Sequence, residues 1–426
     1  MSHNRCQKDG AMFAPSLTMD RSDNAVIPLL GAAFGSVVTL NYAIPAILPA
    51  IADDFGIGIE AAGSVVSIYG LWYALCALLL GPASDHFGRK RVMVVSLAAV
   101  GIACLLCGQS FSFPFLLLAR SLGGLVAAIL QPATWAYVGD YFPRSRRGSG
   151  SAWVVNAASL SMIVGLLGAG LLTEHLSWRW VFNGTAVVAF VTCLSVLARL
   201  PRIGPSRTQP WKEFSARRFV STVGQDLGGL MRETRARSAL LVSFTIWFAY
   251  FGVYTYWGAF LNQQFGLGSG RIGFVTVTVA VGYIIGSQLG GRLSDRIGRG
   301  KVIRAGLVVL GGLLAFLPWI GTLTVAVVGT LVLAAGFHFT YSAQLALASE
   351  LVPKARSTAM SINYFFTYLG MMSGSAVAGL VLGQFGYRAV GLTSACACWG
   401  AAVLVHWLVR RPVTGGGSMS ERGGSE

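Results

Sequence analysis

Two side chains in this sequence sit where a charge is costly. Arg120 interrupts an apolar run at 114–139, and His338 lies in the middle of another at 323–347. An intramembrane charge costs about 2.5–3.5 kcal/mol on insertion scales. Arg120 therefore calls for a partner or a task, unless its place about six residues from one end of its run lets it snorkel to the interface. A histidine, with an ordinary pKa of about 6.5, can carry a proton at such a depth. A neutral histidine hydrogen-bonded between helices is the alternative. No acid accompanies either residue at mid-run: the nearest are Asp53, Asp54 and Glu174 toward one side, and Asp140 and Glu350 toward the other.

A second set of charges recurs with a fixed register. Gly81 to Arg91 reads GPASDHFGRKR and Gly291 to Lys301 reads GRLSDRIGRGK, an offset of 210 (291 − 81). The next loop pair keeps it: Asp140, Pro143 and Arg146 match Glu350, Pro353 and Arg356, again 210 apart (350 − 140). An ungapped register across two loops and the segments between them marks a duplication. Parallel halves of this kind hold their substrate site at the interface. Gly81, Gly88, Gly291 and Gly298 permit tight turns because they lack a Cβ. Asp85 and Asp295 are short acceptors suited to helix N-termini, and Arg89 and Arg299 can hold neighbouring acids or helix C-termini.

Around a central cavity the expected lining is Asn41, Tyr42, Gln131, Asn156, Tyr250, Tyr254, His338, Tyr341, Gln344, Asn363 and Tyr364. Aromatic walls with a few hydrogen-bonding groups suit a medium-sized, partly apolar organic molecule, although Tyr and Trp are also ordinary membrane-interface residues. Seven cysteines form no disulfide framework or metal-ligand pattern. Cys104 and Cys107 make a C-x-x-C, but within an apolar run and beside no other ligand, so small-residue helix packing accounts for it. No nucleophile–base pair, metal cluster or phosphate-binding glycine loop stands where water could reach it, so neither an enzyme nor a cofactor site is expected.

The elements that must position these residues are membrane helices. Of 426 residues 54% are apolar and only 11% charged, too few charges for a water-facing surface. Twelve runs are long enough to cross about 30 Å of hydrocarbon as helices: 26–50, 61–81, 92–110, 114–139, 150–172, 181–199, 239–261, 272–291, 302–320, 323–347, 357–380 and 388–409. The net charge of +16 is topological rather than a sign of nucleic acid. Of 32 Lys and Arg, 28 fall on the side of the termini, Arg120 is within a run, and only Arg179, Arg271 and Arg388 fall opposite. That bias places both termini in the cytoplasm. Residues 1–24 lack a signal-peptide pattern and are expected to be a disordered N-terminus, with 411–426 a disordered tail. Between bundles at 25–199 and 239–410, the basic segment 200–238 is either a solvated linker or an amphipathic helix carrying Trp211, Phe214 and Leu227 on the leaflet.

The G-x-x-x-D-x-x-G-R-[KR] loop, present in both halves, resembles the signature loop of the major facilitator superfamily. Leu48-Pro49-Ala50-Ile51-Ala52, Arg120-Ser121-Leu122-Gly123-Gly124 and Trp178-Arg179-Trp180-Val181-Phe182 support the likeness. The resemblance implies an all-α fold of twelve helices in two pseudo-symmetric six-helix bundles, working by rocking of one half against the other. It also implies a cytoplasmic latch between halves, for which Asp85 with Arg89 and Asp140 with Arg146 are the candidate pairs, and a proton-coupling role for Arg120.

The chain is most similar to bacterial drug or metabolite:proton antiporters of the inner membrane, which implies export of a small organic compound driven by protons, by a monomer. It departs from them in two places. Where they carry an acid midway along the first helix, this chain has Asn41 and Tyr42, and its fifth run keeps the glycines of G-P-x-x-G-G without the proline. Uptake or facilitated passage of an organic anion is the alternative, with Arg120 and His338 in the cavity and no acid to balance them. A non-transporting receptor or scaffold remains, without an appended docking domain to support it.

Overall fold

The computed structural model describes residues 23–80, 87–143, 146–202, 234–348 and 356–410, with 224, 228, 229 and 231 standing between. Every element among these residues is a helix. In order they are α1 (Asp23–Phe55), α2 (Ile59–Ala62), α3 (Ser64–Leu80), α4 (Arg89–Gly108), α5 (Phe113–Tyr141), α6 (Arg147–His175), α7 (Trp178–Arg199), α8 (Thr234–Thr255), α9 (Trp257–Phe265), α10 (Ser269–Ile297), α11 (Arg299–Phe316), α12 (Leu323–Ala348) and α13 (Arg356–Arg410). The expected disordered ends, most of the linker, and Gly81, Asp85 and Glu350 lie outside the described residues.

The joints follow from local chemistry. Ser112 caps α5 by accepting a hydrogen bond from the Phe115 amide at 3.4 Å, with Pro114 in the first turn. Ser177 accepts from the Arg179 amide at 3.3 Å and starts α7. Two joints need a left-handed residue and have glycine there in both halves. Gly56 and Gly266 have φ of 60° and 64°, Gly88 and Gly298 have φ of 84° and 91°, and each pair stands 210 apart (266 − 56; 298 − 88). The duplication read from the loops is thus repeated in backbone conformation.

Eleven helices are long and apolar enough to cross a membrane among the described residues. The last of them, Met360–Val405, has 46 residues. At 1.5 Å per residue such a run is roughly twice the thickness of a hydrocarbon core, and it is broken at Gly386, with φ 77° and ψ 175°. The matching place 210 residues earlier is Leu176, the joint between α6 and α7.

The two halves touch closely at the end away from Gly88 and Gly298. One seam joins α2 and α3 to α13: Ser375 Oγ donates to the Gly63 carbonyl at 3.1 Å, and the Tyr256 hydroxyl reaches the carbonyls of Glu60 and Ser375 at 3.2 and 3.1 Å. A Cβ on Gly63 would overlap the Tyr256 ring. The other seam joins α6 to α10, where a Cβ on Gly170 or Gly273 would stand 2.8 Å from the partner's Cα. Small residues let these backbones meet, as membrane helices require.

Candidate functional site

Between the halves lies a cavity of about 800 Å³. Its wall runs from Asn41, Tyr42 and His338 to Arg89, Gly139 and Ala346, toward the end that carries Gly88 and Gly298. The seams through Gly63 and Gly170 close the opposite end. Nine of its lining side chains are aromatic, and no Asp or Glu lines it among the described residues.

The floor toward the closed end is a polar node. Gln131 Oε1 on α5 accepts from Tyr73 of α3 at 2.6 Å and from Tyr368 of α13 at 3.1 Å. Those two rings stack with centroids 3.3 Å apart, so the node ties one half to the other. A second link crosses at His338, whose Nε2 lies 3.4 Å from the Tyr42 hydroxyl, while the Tyr283 ring meets the imidazole edge-on at 4.2 Å. Tyr254 donates to the Tyr42 carbonyl at 2.8 Å and holds that stretch of α1.

Of the residues expected around a cavity, Asn41, Tyr42, Gln131, His338, Tyr341 and Tyr364 line it. Five do not. Tyr250 and Tyr254 are buried in an aromatic stack at 5.2 Å behind the wall. Gln344 and Asn363 are taken up by each other at 2.9 Å, with Ser243 donating to Asn363 at 2.6 Å. Asn156 is exposed on the outer face of α6. The wall also contains Phe34, Trp135, Trp247, Phe251, Tyr283 and Tyr368. Helical period would have found several: Phe34 and Val38 precede Asn41 and Tyr42 on one face of α1, Trp135 is one turn beyond Gln131, and Tyr368 one turn beyond Tyr364.

Arg120 is not in the cavity and does not snorkel. It is 2% exposed, enclosed within the first half. Its Nε donates to the Val65 carbonyl at 3.2 Å, an Nη2 reaches Asn41 Oδ1 at 3.5 Å, and the guanidinium stacks 4.5 Å from the Tyr69 ring centroid. A carbonyl, an amide oxygen and a π face disperse the charge where no carboxylate is offered. Cys104 and Cys107 are buried, unbridged, and share a small void with it.

At the open end, Arg89 Nε pairs with Asp140 Oδ2 at 3.0 Å, joining the start of α4 to the end of α5 within one half. Asp140 thus meets Arg89 rather than Arg146, with which it was expected to pair; the expected Asp85–Arg89 pair falls on residues outside the described set. Arg146 precedes α6. In the second half Arg299 Nη1 donates to the Ala346 carbonyl at 3.1 Å, Gly291 is part-buried and Asp295 exposed. Arg356 opens α13; its side chain is outside the described set, as is Glu350.

A family model described as Major Facilitator Superfamily matches residues 29–270 and 240–424. An uncharacterized MFS-type transporter, YceJ of Bacillus subtilis (strain 168), is 26% identical over 343 residues, 80% of this chain and 85% of that one. The chloramphenicol resistance protein CraA of Acinetobacter baumannii is 27% identical over 275 residues, 62% of each chain. Among solved structures the nucleoside transporter NupG superposes with a TM-score of 0.75 at 14% identity, covering 90% of this chain and all of that one, a likeness of fold.

Proposed function

The chain belongs to the major facilitator superfamily, and on that footing we propose that it exports a small organic compound in exchange for protons by alternating access. It is a multi-pass integral membrane transporter of a small molecule and not an enzyme. Under this reading the bundles are 25–199 and 239–410, and the long run broken at Gly386 crosses twice to make twelve crossings. Both termini lie in the cytoplasm of a bacterial inner membrane, the protein acts as a monomer, and the conformation described is open inward. Asp140 and Asp295, at the helix ends of α5 and α10, and Asp85 and Glu350, with their basic neighbours, serve as the cytoplasmic latch of the opposite state.

The observation that carries the coupling is the Tyr42–His338 contact, because its partners belong to opposite halves. A neutral imidazole can accept the tyrosine's hydrogen at Nε2; a protonated one has no lone pair there and can only donate. Proton arrival thus changes a bond that spans the moving interface. The groups facing His338 are the hydroxyl of Tyr42 and the rings of Tyr283 and Phe337. The drug-resistance name of one relative supports export. The anion reading rested on Arg120 and His338 in the cavity with no acid to balance them; Arg120 lies behind the wall, which leaves that reading with His338 alone of its two charges.

Inverted vesicles loaded with a pH dye test the reading. A compound that the vesicles accumulate should release lumenal protons when added. Accumulation of several compounds with no proton release would overturn antiport.

A further inference from the structure

We infer that the cavity takes uncharged aromatic compounds bearing a hydrogen-bond acceptor, and discriminates against cations and anions of the same shape. The inference rests on the transporter reading for the cavity's being a substrate site, and adds the class of substrate.

The wall is charge-balanced by two separate arrangements. Among the described residues its one Lys or Arg, Arg89, lies at the mouth and is paired with Asp140 at 3.0 Å. Arg120, the charge that the anion alternative put in the cavity, is turned into the first half, where its donors go to Val65 and Asn41. With no carboxylate on the described wall, a cation deep in the cavity would lose water and gain no counter-ion. An anion would find, among the described residues, only an Arg already engaged. Desolvating an ion without a partner is far more costly than desolvating an uncharged group.

What the wall does offer is π surface and a set of unused hydrogen-bonding groups. Trp247 and Phe251 stack at 5.1 Å along α8, and Phe34 meets Trp135 edge-on at 5.3 Å across the first half. Between them Gln131 is fixed. Two tyrosine hydroxyls donate to its Oε1, so its Nε2 faces elsewhere, and no described residue accepts from it. An amide N–H₂ held in place by a two-point clamp selects an acceptor on the ligand: a carbonyl, a sulfonyl, a nitro group or a ring nitrogen.

Three dyes on one scaffold test this with the purified full chain in detergent: dansylamide, which is uncharged, its N-(2-trimethylammonioethyl) derivative, and its N-carboxymethyl derivative. Dye emission and energy transfer from tryptophan report binding. The uncharged dye should bind at least about tenfold more tightly than either ion, a gap of about 1.4 kcal/mol. Gln131→Leu should weaken it by about tenfold, and Gln131→Glu should draw in the ammonium dye. Equal or tighter binding of either charged dye to the unaltered protein, or no binding of the uncharged one, overturns the proposal. Because binding is read without a gradient, failure of proton coupling leaves this result standing, and failure here leaves the vesicle assay standing.

Discussion

Arg120 and Asn41 meet behind the cavity wall, with guanidinium and amide oxygen 3.5 Å apart, while Asn41 itself lines the cavity. The amide therefore stands between a buried charge and the space where a substrate would sit. Asn41→Asp puts a carboxylate at that point, beside a ready guanidinium. The expected result is a folded protein with a salt bridge and little change in uptake of uncharged compounds, checked by transport and thermal unfolding.

Removal of the charge has a different signature. Arg120→Ala leaves Asn41 Oδ1 without its donor in a buried place and strips the Val65 carbonyl of its second one, at a cost of about 1–3 kcal/mol for such a group. The lowered unfolding temperature in detergent should not be recovered by Arg120→Lys, whose ammonium cannot reproduce the Nε and Nη2 contacts or the stacking on Tyr69.

The α6–α10 seam governs which end is shut. Gly170→Leu places a side chain against the Gly273 backbone, which cannot move aside locally. The population should shift toward a state open at that end. Spin labels on Leu176→Cys and Gln263→Cys, both exposed, should show a longer distance than in the parent.

His338→Gln keeps a hydrogen-bonding group beside Tyr42 but abolishes titration. Export by the parent should vary with external pH, and the variant's profile should be flat while dye binding is retained. A variant with the parent's pH profile would remove His338 from the coupling.

The break at Gly386 makes a topological prediction. With φ 77° and ψ 175° the residue occupies a region nearly reserved for glycine, so Gly386→Val should cost about 1–3 kcal/mol. If the run crosses twice, Gln384→Cys should react with an impermeant thiol reagent from outside the cell and not from within.

Much of the fold was legible because lipid allows few solutions: apolar run length and a repeated glycine register each speak about whole segments. The Gly56/Gly266 pair shows the limit. It obeys the same 210-residue register, but Asp53 and Asp54 beside the first copy have Gln263 and Gln264 as counterparts in the second, so no shared charge drew notice to the joint. Within the site, Asn41, Gln131 and Tyr364 were found by polarity. Trp247 and Phe251 were not, since an aromatic in a membrane helix reads the same whether it faces lipid, core or cavity. Asn156 failed for the converse reason: polarity says nothing about which face of α6 it occupies. Arg120 was singled out correctly as costly, but its compensation by Tyr69, Val65 and Asn41 is tertiary and left no local signal.

The charge balance of the cavity wall bears on electricity. One elementary charge moved through 100 mV is worth about 2.3 kcal/mol, so a carrier that swings an uncompensated cation across the bilayer works with or against the membrane voltage on every stroke. Here Arg89 travels with Asp140, and an uncharged cargo adds nothing to them. With the uncharged cargo proposed above the stroke is electrically silent on the substrate's own account, and the voltage is left to act on the proton the histidine takes along and on Arg120, carried inside the first half.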